Sequence, residues 1–446
     1  MEKVHLVSLG CPKNLVDSGL LLGALKNAGF EPTLDPREAQ VLVVNTCAFV
    51  EEAKKESIEA VLEAAELKKG RAGRQLVVAG CLAQRYGAEL LEALPEVDVF
   101  VGTGNFVDLP GLLRKARLQG VRPVPYPGAA HLLPAADAQA LPVTPSFSAY
   151  LKVSEGCNHR CAFCIIPKIR GRHESRPIDD VVAEARRLAA GGARELNLIA
   201  QDLTAYGRDL QPPTSLAKLL ERLAAIEGVR WIRLLYCYPN FVSDELLRAV
   251  ADLPQVVKYL DMPLQHAADE VLRAMRRERA GAALRRLLDR VREKVPGVVL
   301  RTSFVVGFPG ETERAFAQLR RFVEEQQFDR VGVFTYSREE NTAAYNLPDQ
   351  VPEALKRARR ARLLEAQAAI SARKNAALVG TEVEVLVERP AAQAGRSGQG
   401  RLAGQAPEID GAVFVRGTAA AGEFVRARVD KARTYDLEGH IVGACL

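Results

Sequence analysis

The 446-residue chain contains no apolar run near the ~20 residues that a membrane-crossing helix needs. Its opening stretch, MEKVHLVSLGCPKN, lacks the long apolar core of a secretory signal and runs straight into a strand pattern. These two absences predict a cytoplasmic protein with no membrane partner. Net charge is also scarce: 61 Lys and Arg face 55 Asp and Glu, leaving +6. That is too little, at this length, to require a nucleic-acid partner. With 48% hydrophobic and 26% charged residues, the composition is that of an ordinary globular protein of several domains. Eight cysteines in such a chain favour metal or redox chemistry over disulfides.

A fourth cysteine is missing at the most informative place. Cys157, Cys161 and Cys164 form a C-x3-C-x2-C cluster in EGCNHRCAFCIIP, with no further cysteine close behind. Soft thiolates suit iron–sulfur clusters. Three of them can hold three irons of a 4Fe–4S cube and leave the last iron open. Zinc sites favour paired C-x2-C units with a fourth ligand, so zinc or plain buried thiols form the competing reading.

Residues 1 to 125 repeat one pattern three times. VHLVSLG ends at Cys11, VLVVNT at Cys47 and QLVVAG at Cys81, and helix-like stretches follow, most clearly 17–29 and 50–69. Strands alternating with helices predict a parallel α/β sheet whose carboxyl ends share one edge. The three cysteines should therefore meet there, around a second cluster with an open iron. Small thiols filling core gaps are the bland alternative.

Residues 126–146 read as a linker. Over 147–340 strand-like runs recur with helices between them: 149–156, 195–202, 229–237, 256–265, 298–309 and 330–337. Six βα repeats predict a partial (β/α)6 barrel with its chemistry at the strand ends. Those ends carry Gln201, Asp202, Tyr236, Gln265, His266 and the segment Gly307 to Glu311. His266 reads first as a hydrogen-bonded structural residue. Arg301 could grip a ligand carboxylate in bidentate fashion or pair with a buried acid. Residues 350–376 read as one long helix with a basic, solvated face. Beyond it, 377–446 show short alternating strands, which predict a small antiparallel β-barrel. The loop AAQAGRSGQG (391–400) reads as mobile. Over 378–446 eight basic residues face nine acidic ones, a balance better suited to docking protein than RNA.

Taken together, these segments resemble the radical S-adenosylmethionine (SAM) methylthiotransferases along nearly the whole chain. The resemblance implies an N-terminal cluster domain (1–125), a radical-SAM domain (147–376) and a TRAM-like barrel (377–446). It implies two 4Fe–4S clusters, one held by Cys157, Cys161 and Cys164 that binds and reductively cleaves SAM, the other an auxiliary cluster on Cys11, Cys47 and Cys81 that delivers sulfur. GFPGET (307–312) resembles the glycine-bearing segment that approaches SAM, and Gln201, Gln265, Arg301 and Gly307 are the expected SAM contacts. Cys237 and Cys445 fall outside the pattern as bystanders.

Two branches of that family differ in substrate. SLGCPKNLVDS (8–18), GCNHRCAFCIIPKIRG (156–171), AQDLTAYG (200–207), LLYCYP (234–239) and FDRVGVFTYSREENTAAYNLPDQVP (328–352) resemble the branch that methylthiolates the β-carbon of an aspartate of ribosomal protein S-twelve. The other branch modifies a tRNA adenosine; it usually reads GQNV where this chain has AQDL, and its first cysteine segment differs from CPKNLVDS. Gly19 stands where Glu is expected and Asn341 where Gly is common. The implied partners are protein S-twelve, an electron donor such as flavodoxin or ferredoxin, and a sulfur donor. A tRNA adenosine methylthiotransferase and a non-catalytic iron–sulfur RNA-binding protein are the alternatives.

Overall fold

The computed structural model describes residues 1–445 apart from 121, 123–139, 279 and 394. Most of the expected linker, 126–139, lies outside the described residues. The N-terminal unit runs β1 (Lys3–Ser8), α1 (Pro12–Asn27), β2 (Glu31–Pro32), β3 (Val41–Thr46), α2 (Glu51–Lys68), β4 (Gln75–Gly80), α3 (Cys81–Ala93), β5 (Val99–Val101) and α4 (Leu109–Gln119). Its five strands form one parallel sheet in the order β2-β1-β3-β4-β5. Every residue of β3 and β4 is buried, as central strands covered by helices on both faces must be. Successive side chains point to opposite faces. Leu42, Val44 and Val78 pack with Val61 of α2 and Leu82 of α3, while Val41, Val43 and Val77 pack with Leu21 of α1 and Leu113 of α4. Helix α1 starts five residues before the expected 17, because Pro12 sits in the first turn, where its missing N–H costs nothing.

The central unit contains β6 (Ser148–Lys152), β7 (Ser154–Glu155), α5 (Ile166–Arg170), β8 (Glu174–Ser175), α6 (Ile178–Ala190), β9 (Glu195–Ile199), α7 (Leu216–Ala224), β10 (Trp231–Leu234), α8 (Asp244–Asp252), β11 (Val256–Asp261), α9 (Asp269–Ala274), α10 (Gly281–Lys294), β12 (Val299–Val306), α11 (Glu313–Gln326), β13 (Arg330–Thr335) and α12 (Glu353–Ala376). Six strands form a parallel sheet in the sequential order β6-β9-β10-β11-β12-β13. Among the described residues β6 and β13 do not pair with each other, so the barrel is partial. Strand β12 alternates cleanly: Leu300, Phe304 and Val306 pack under the helices in the main core. Arg301, Ser303 and Val305 therefore point to the opposite, concave side.

The C-terminal unit is a closed barrel of β14 (Glu382–Arg389), β15 (Ser397–Arg401), β16 (Val413–Arg416), β17 (Phe424–Ala432) and β18 (Leu437–Ala444). Its pairs are antiparallel except β16–β18. Strand β15 corrects one expectation, since residues 397–400 of the loop read as mobile are part of the barrel wall. Glycine hid it. A Cβ on Gly400 would lie 2.4 Å from the Leu386 carbonyl oxygen, so close strand approach, not flexibility, selects glycine there.

This barrel seals the concave side of the central sheet. Phe147, Trp231 and Tyr259 pack with Leu386, Ala406 and Phe424, and Tyr259 donates to Asp410 Oδ2 at 2.5 Å. Glu195 of β9 faces two guanidiniums, Arg233 at 2.9 Å and Arg401 of the barrel at 2.5 Å. Burial raises its carboxyl pKa, but Arg401 and Arg233 outweigh that and hold it down at about 2. Glu195→Gln would leave Arg233 without a carboxylate and Arg401 with Glu388 alone, at 2.6 Å. Removing one partner of a buried pair costs about 3–5 kcal/mol. We expect a clear drop in the unfolding temperature and faster proteolytic release of the C-terminal barrel.

Candidate active site

The loop bearing Cys157, Cys161 and Cys164 is pinned at both ends. Gly156 has φ +75°, and a Cβ there would lie 2.0 Å from the Arg172 carbonyl oxygen; only glycine fits that approach. Cys157 N donates to Gly171 O at 3.1 Å and Ala162 N to Met275 O at 2.9 Å. Burial, with Cys161 nearby, pushes the Cys157 thiol up to about 11 and that of Cys164 to about 12. Thiolates here need a positive partner. Arg277 supplies one, its Nη1 lying 3.5 Å from Cys161 Sγ. His159, inside the loop, hydrogen-bonds to Asp202 at 2.6 Å and stacks on Tyr238 with centroids 3.7 Å apart.

The second trio stands on the carboxyl edge of the N-terminal sheet. Cys11 precedes α1, Cys47 follows β3 and Cys81 opens α3. Gly10 makes the approach possible, since a Cβ on it would fall 2.7 Å from Cys47 Cβ. Ser57 Oγ fixes the Cys47 backbone, accepting from its N at 3.0 Å and donating to its O at 2.9 Å. Burial pushes the Cys47 thiol up to about 12, and Cys81 and Cys11 add to the rise. Arg170, the last residue of α5, opposes the same effect at Cys81 by donating to its Sγ at 3.3 Å.

One short segment contacts side chains that neighbour both trios. After β10, the Tyr236 ring lies under Lys13 Nζ, 3.2 Å from its centroid; two residues on, Tyr238 stacks against His159 and carries Arg277 at 4.2 Å. Below them lies a buried ionic group shared by the two units. Lys152 bridges Asp17 (2.7 Å) and Glu155 (2.8 Å), and Arg170 reaches the same acids at 2.6 and 3.3 Å. Gln201 donates to the other oxygen of Glu155, which also accepts from Gly156 N.

The other expected contacts sit at the strand ends in different states. Gln265 has φ +72° and bridges β12, accepting from Val305 N at 2.8 Å. His266 is fully buried and hydrogen-bonded at both ring nitrogens, to Glu311 at 3.1 Å and Ala268 N at 3.0 Å. Gly307 lies against α12, where a Cβ would meet Lys356 Cγ at 2.2 Å. Arg301 pairs with Asp261 at 2.8 Å and Asp410 at 3.5 Å, so of the two partners open to it in the sequence the structure shows an acid. Cys237 is fully buried, and Cys445 lies on the C-terminal barrel beside Glu384. Lys13, Lys152, Glu155, Arg170, Tyr238 and Arg277 were not expected. CPKN and CIIPKIRG contain two of them, but nothing in a short motif marks a cation as buried.

The donor sets suit iron–sulfur clusters. Among the described residues no three of these side chains are arranged for one metal ion. A cube asks for something else, each thiolate on its own iron with hydrogen bonds to sulfur; Arg277 and Arg170 provide such donors.

Three family models match: the uncharacterized protein family UPF0004 over 3–102, the radical SAM superfamily over 151–323 and the TRAM domain over 379–442. The ribosomal protein uS12 methylthiotransferase RimO of Anaeromyxobacter sp. (strain K) is 52% identical over 441 residues, covering 99% of this chain and 93% of that one. The RimO of Geobacter sulfurreducens is 48% identical over 444 residues and 99% of both. The chain belongs to the RimO family of radical-SAM methylthiotransferases. Solved structures share its fold at low identity. TsrM from Kitasatospora setae, a radical SAM methyltransferase with cobalamin and a [4Fe-4S] cluster bound, superposes with TM-score 0.56 at 16% identity over 77% of each chain. The cobalamin-dependent enzyme OxsB gives 0.54 at 12% identity, over 83% of this chain and 56% of that one. Within the RimO family, then, the two cysteine trios of this chain stand on separate scaffolds that meet at Tyr236 and Arg170.

Proposed function

We propose that this RimO-family enzyme adds a methylthio group to the β-carbon of an aspartate of ribosomal protein uS12, working in the cytoplasm. The observation that carries the reading is that two thiol trios on separate sheets are joined through their neighbours, by Tyr236–Tyr238 on one side and by Arg170 on the other. Cys157, Cys161 and Cys164 would hold the SAM-binding cluster and Cys11, Cys47 and Cys81 the auxiliary one; bound, they supply reductive SAM cleavage and the inserted sulfur.

The chain's own residues then have three tasks. Arg277 and Arg170 offset thiolate charge on the two sides. Gln201 and Gln265 present polar groups from the ends of β9 and β11 to SAM, with the Gly307 turn beside them. Arg301, fixed to Asp261, fills a charged position in the floor beneath rather than offering a free fork. Burial around both loops keeps water from groups that it would quench. An electron donor such as flavodoxin or ferredoxin and a sulfur donor complete the cycle.

Protein reconstituted anaerobically with SAM, reductant and sulfide should be offered a uS12 loop peptide and unmodified tRNA in parallel. A methylthio mass gain on the peptide's aspartate, with none on tRNA, is the expected result. Gain on tRNA adenosine alone would overturn the substrate and leave the family standing.

A further inference from the structure

Among the described residues the buried cations have a carboxylate or carbonyl partner, with one exception. Lys152, Arg170, Arg176, Arg233, Lys356, Arg359 and Arg401 each face a carboxylate, and Arg74 donates to two backbone carbonyls. Lys13 does neither. Its side chain belongs to a residue only 7% exposed, yet among the described residues no carboxylate lies within ion-pair distance of Nζ and no hydrogen bond leaves it. Nζ lies over the face of the Tyr236 ring, 3.2 Å from its centroid. A cation–π contact offsets part of a desolvated charge and leaves the three N–H donors unspent. An unpaired buried charge is expensive, and such expense concentrates where a ligand completes the pairing.

The surroundings say what that ligand is. The acids nearest in field are already committed. Glu155 belongs to Lys152 and Arg170, and Asp261 belongs to Arg301 and the Tyr236 backbone N–H. Cys11, two residues before Lys13, is the chain's strongest anionic influence on it but takes no hydrogen bond from Nζ, whereas Arg170 does reach Cys81. Lys13 therefore sits beside the second trio with its N–H donors unspent, open to an anion that can accept them from outside the chain. An ammonium in that position selects a carboxylate over a neutral group of the same shape.

We propose that Lys13 Nζ is the counter-ion for the side-chain carboxylate of the target aspartate, which makes it the specificity-determining residue for an acidic protein substrate. This rests on the functional reading above and adds to it the group that recognises the acid.

The test compares binding of two uS12 loop peptides, identical except for Asp or Asn at the target position, to full-length reconstituted protein by fluorescence anisotropy. Wild type should prefer the Asp peptide by about tenfold or more, the scale of a charged hydrogen bond. Lys13→Met should bind both alike, and Lys13→Arg should regain part of the preference. Lys13→Gln repeats the comparison should the methionine variant fold poorly. Iron content and the spectra of both clusters, measured on each variant, separate lost recognition from a damaged site. A variant with Met or Gln at 13 that keeps the wild-type preference overturns the proposal, and so does a wild type that modifies the Asp peptide without preferring it in binding. Failure of the functional reading looks different: tRNA is modified while neither peptide is.

Discussion

A Cys161→Ala protein is expected to lose reductive SAM cleavage to the detection limit, while Cys47→Ala keeps it and loses sulfur transfer. The contrast follows from scaffolding. Cys161 lies in a loop anchored to Gly171 and Met275 of the central unit, whereas Cys47 hangs from β3 of the N-terminal sheet and is fixed by Ser57 of α2. Neither anchor involves the other trio, so each loss stays local. Chromatography of 5′-deoxyadenosine reports the first activity and peptide mass spectrometry the second; each variant should also bind about half the wild-type iron, since one of two 4Fe–4S sites is gone. Methylthio product from Cys47→Ala would refute the assignment of the auxiliary site.

Sequence made the three N-terminal strands legible because central parallel strands are continuous Val-rich runs, and each here ends at a cysteine. The six central strands were equally visible. What stayed hidden depended on distance along the chain or on missing side chains. Strand β15 reads SGQGR, with no apolar alternation to betray it. Arg301 faces an acid, but a ligand carboxylate would have left the same residue in the same strand. The ionic group joining Asp17 to Arg170 spans 153 positions, beyond the reach of any local pattern. Lys13 lies in plain view inside CPKN, yet its burial comes from Tyr236, more than two hundred residues away. Motifs expose the cysteines; the supporting charges emerge only in the fold.

Arg170→Ala should have the largest effect of any change outside the six cysteines. Its guanidinium donates to Asp17 and Glu155 at 2.6 and 3.3 Å, to Asn14 at 3.2 Å and to Cys81 Sγ at 3.3 Å. With Lys152 it balances two cations against two acids, all of them buried. Without it one lysine must hold both carboxylates, and breaking such a buried set costs about 3–5 kcal/mol. The earliest thermal transition should fall, with the N-terminal unit loosening first. A second consequence concerns chemistry. Arg170 closes α5, which begins two residues after Cys164, so one short helix carries the SAM-side loop at its start and the Cys81 partner at its end. SAM cleavage should therefore persist while methylthio product falls steeply, because the two sites no longer share a rigid link. Arg170→Lys separates charge from geometry. An ammonium restores the charge balance and much of the stability, yet it cannot reach two acids, an amide and a thiol at once as the planar fork does. Stability recovered without product would show that Arg170 acts by geometry; product recovered with charge alone would show that it acts as a counter-ion.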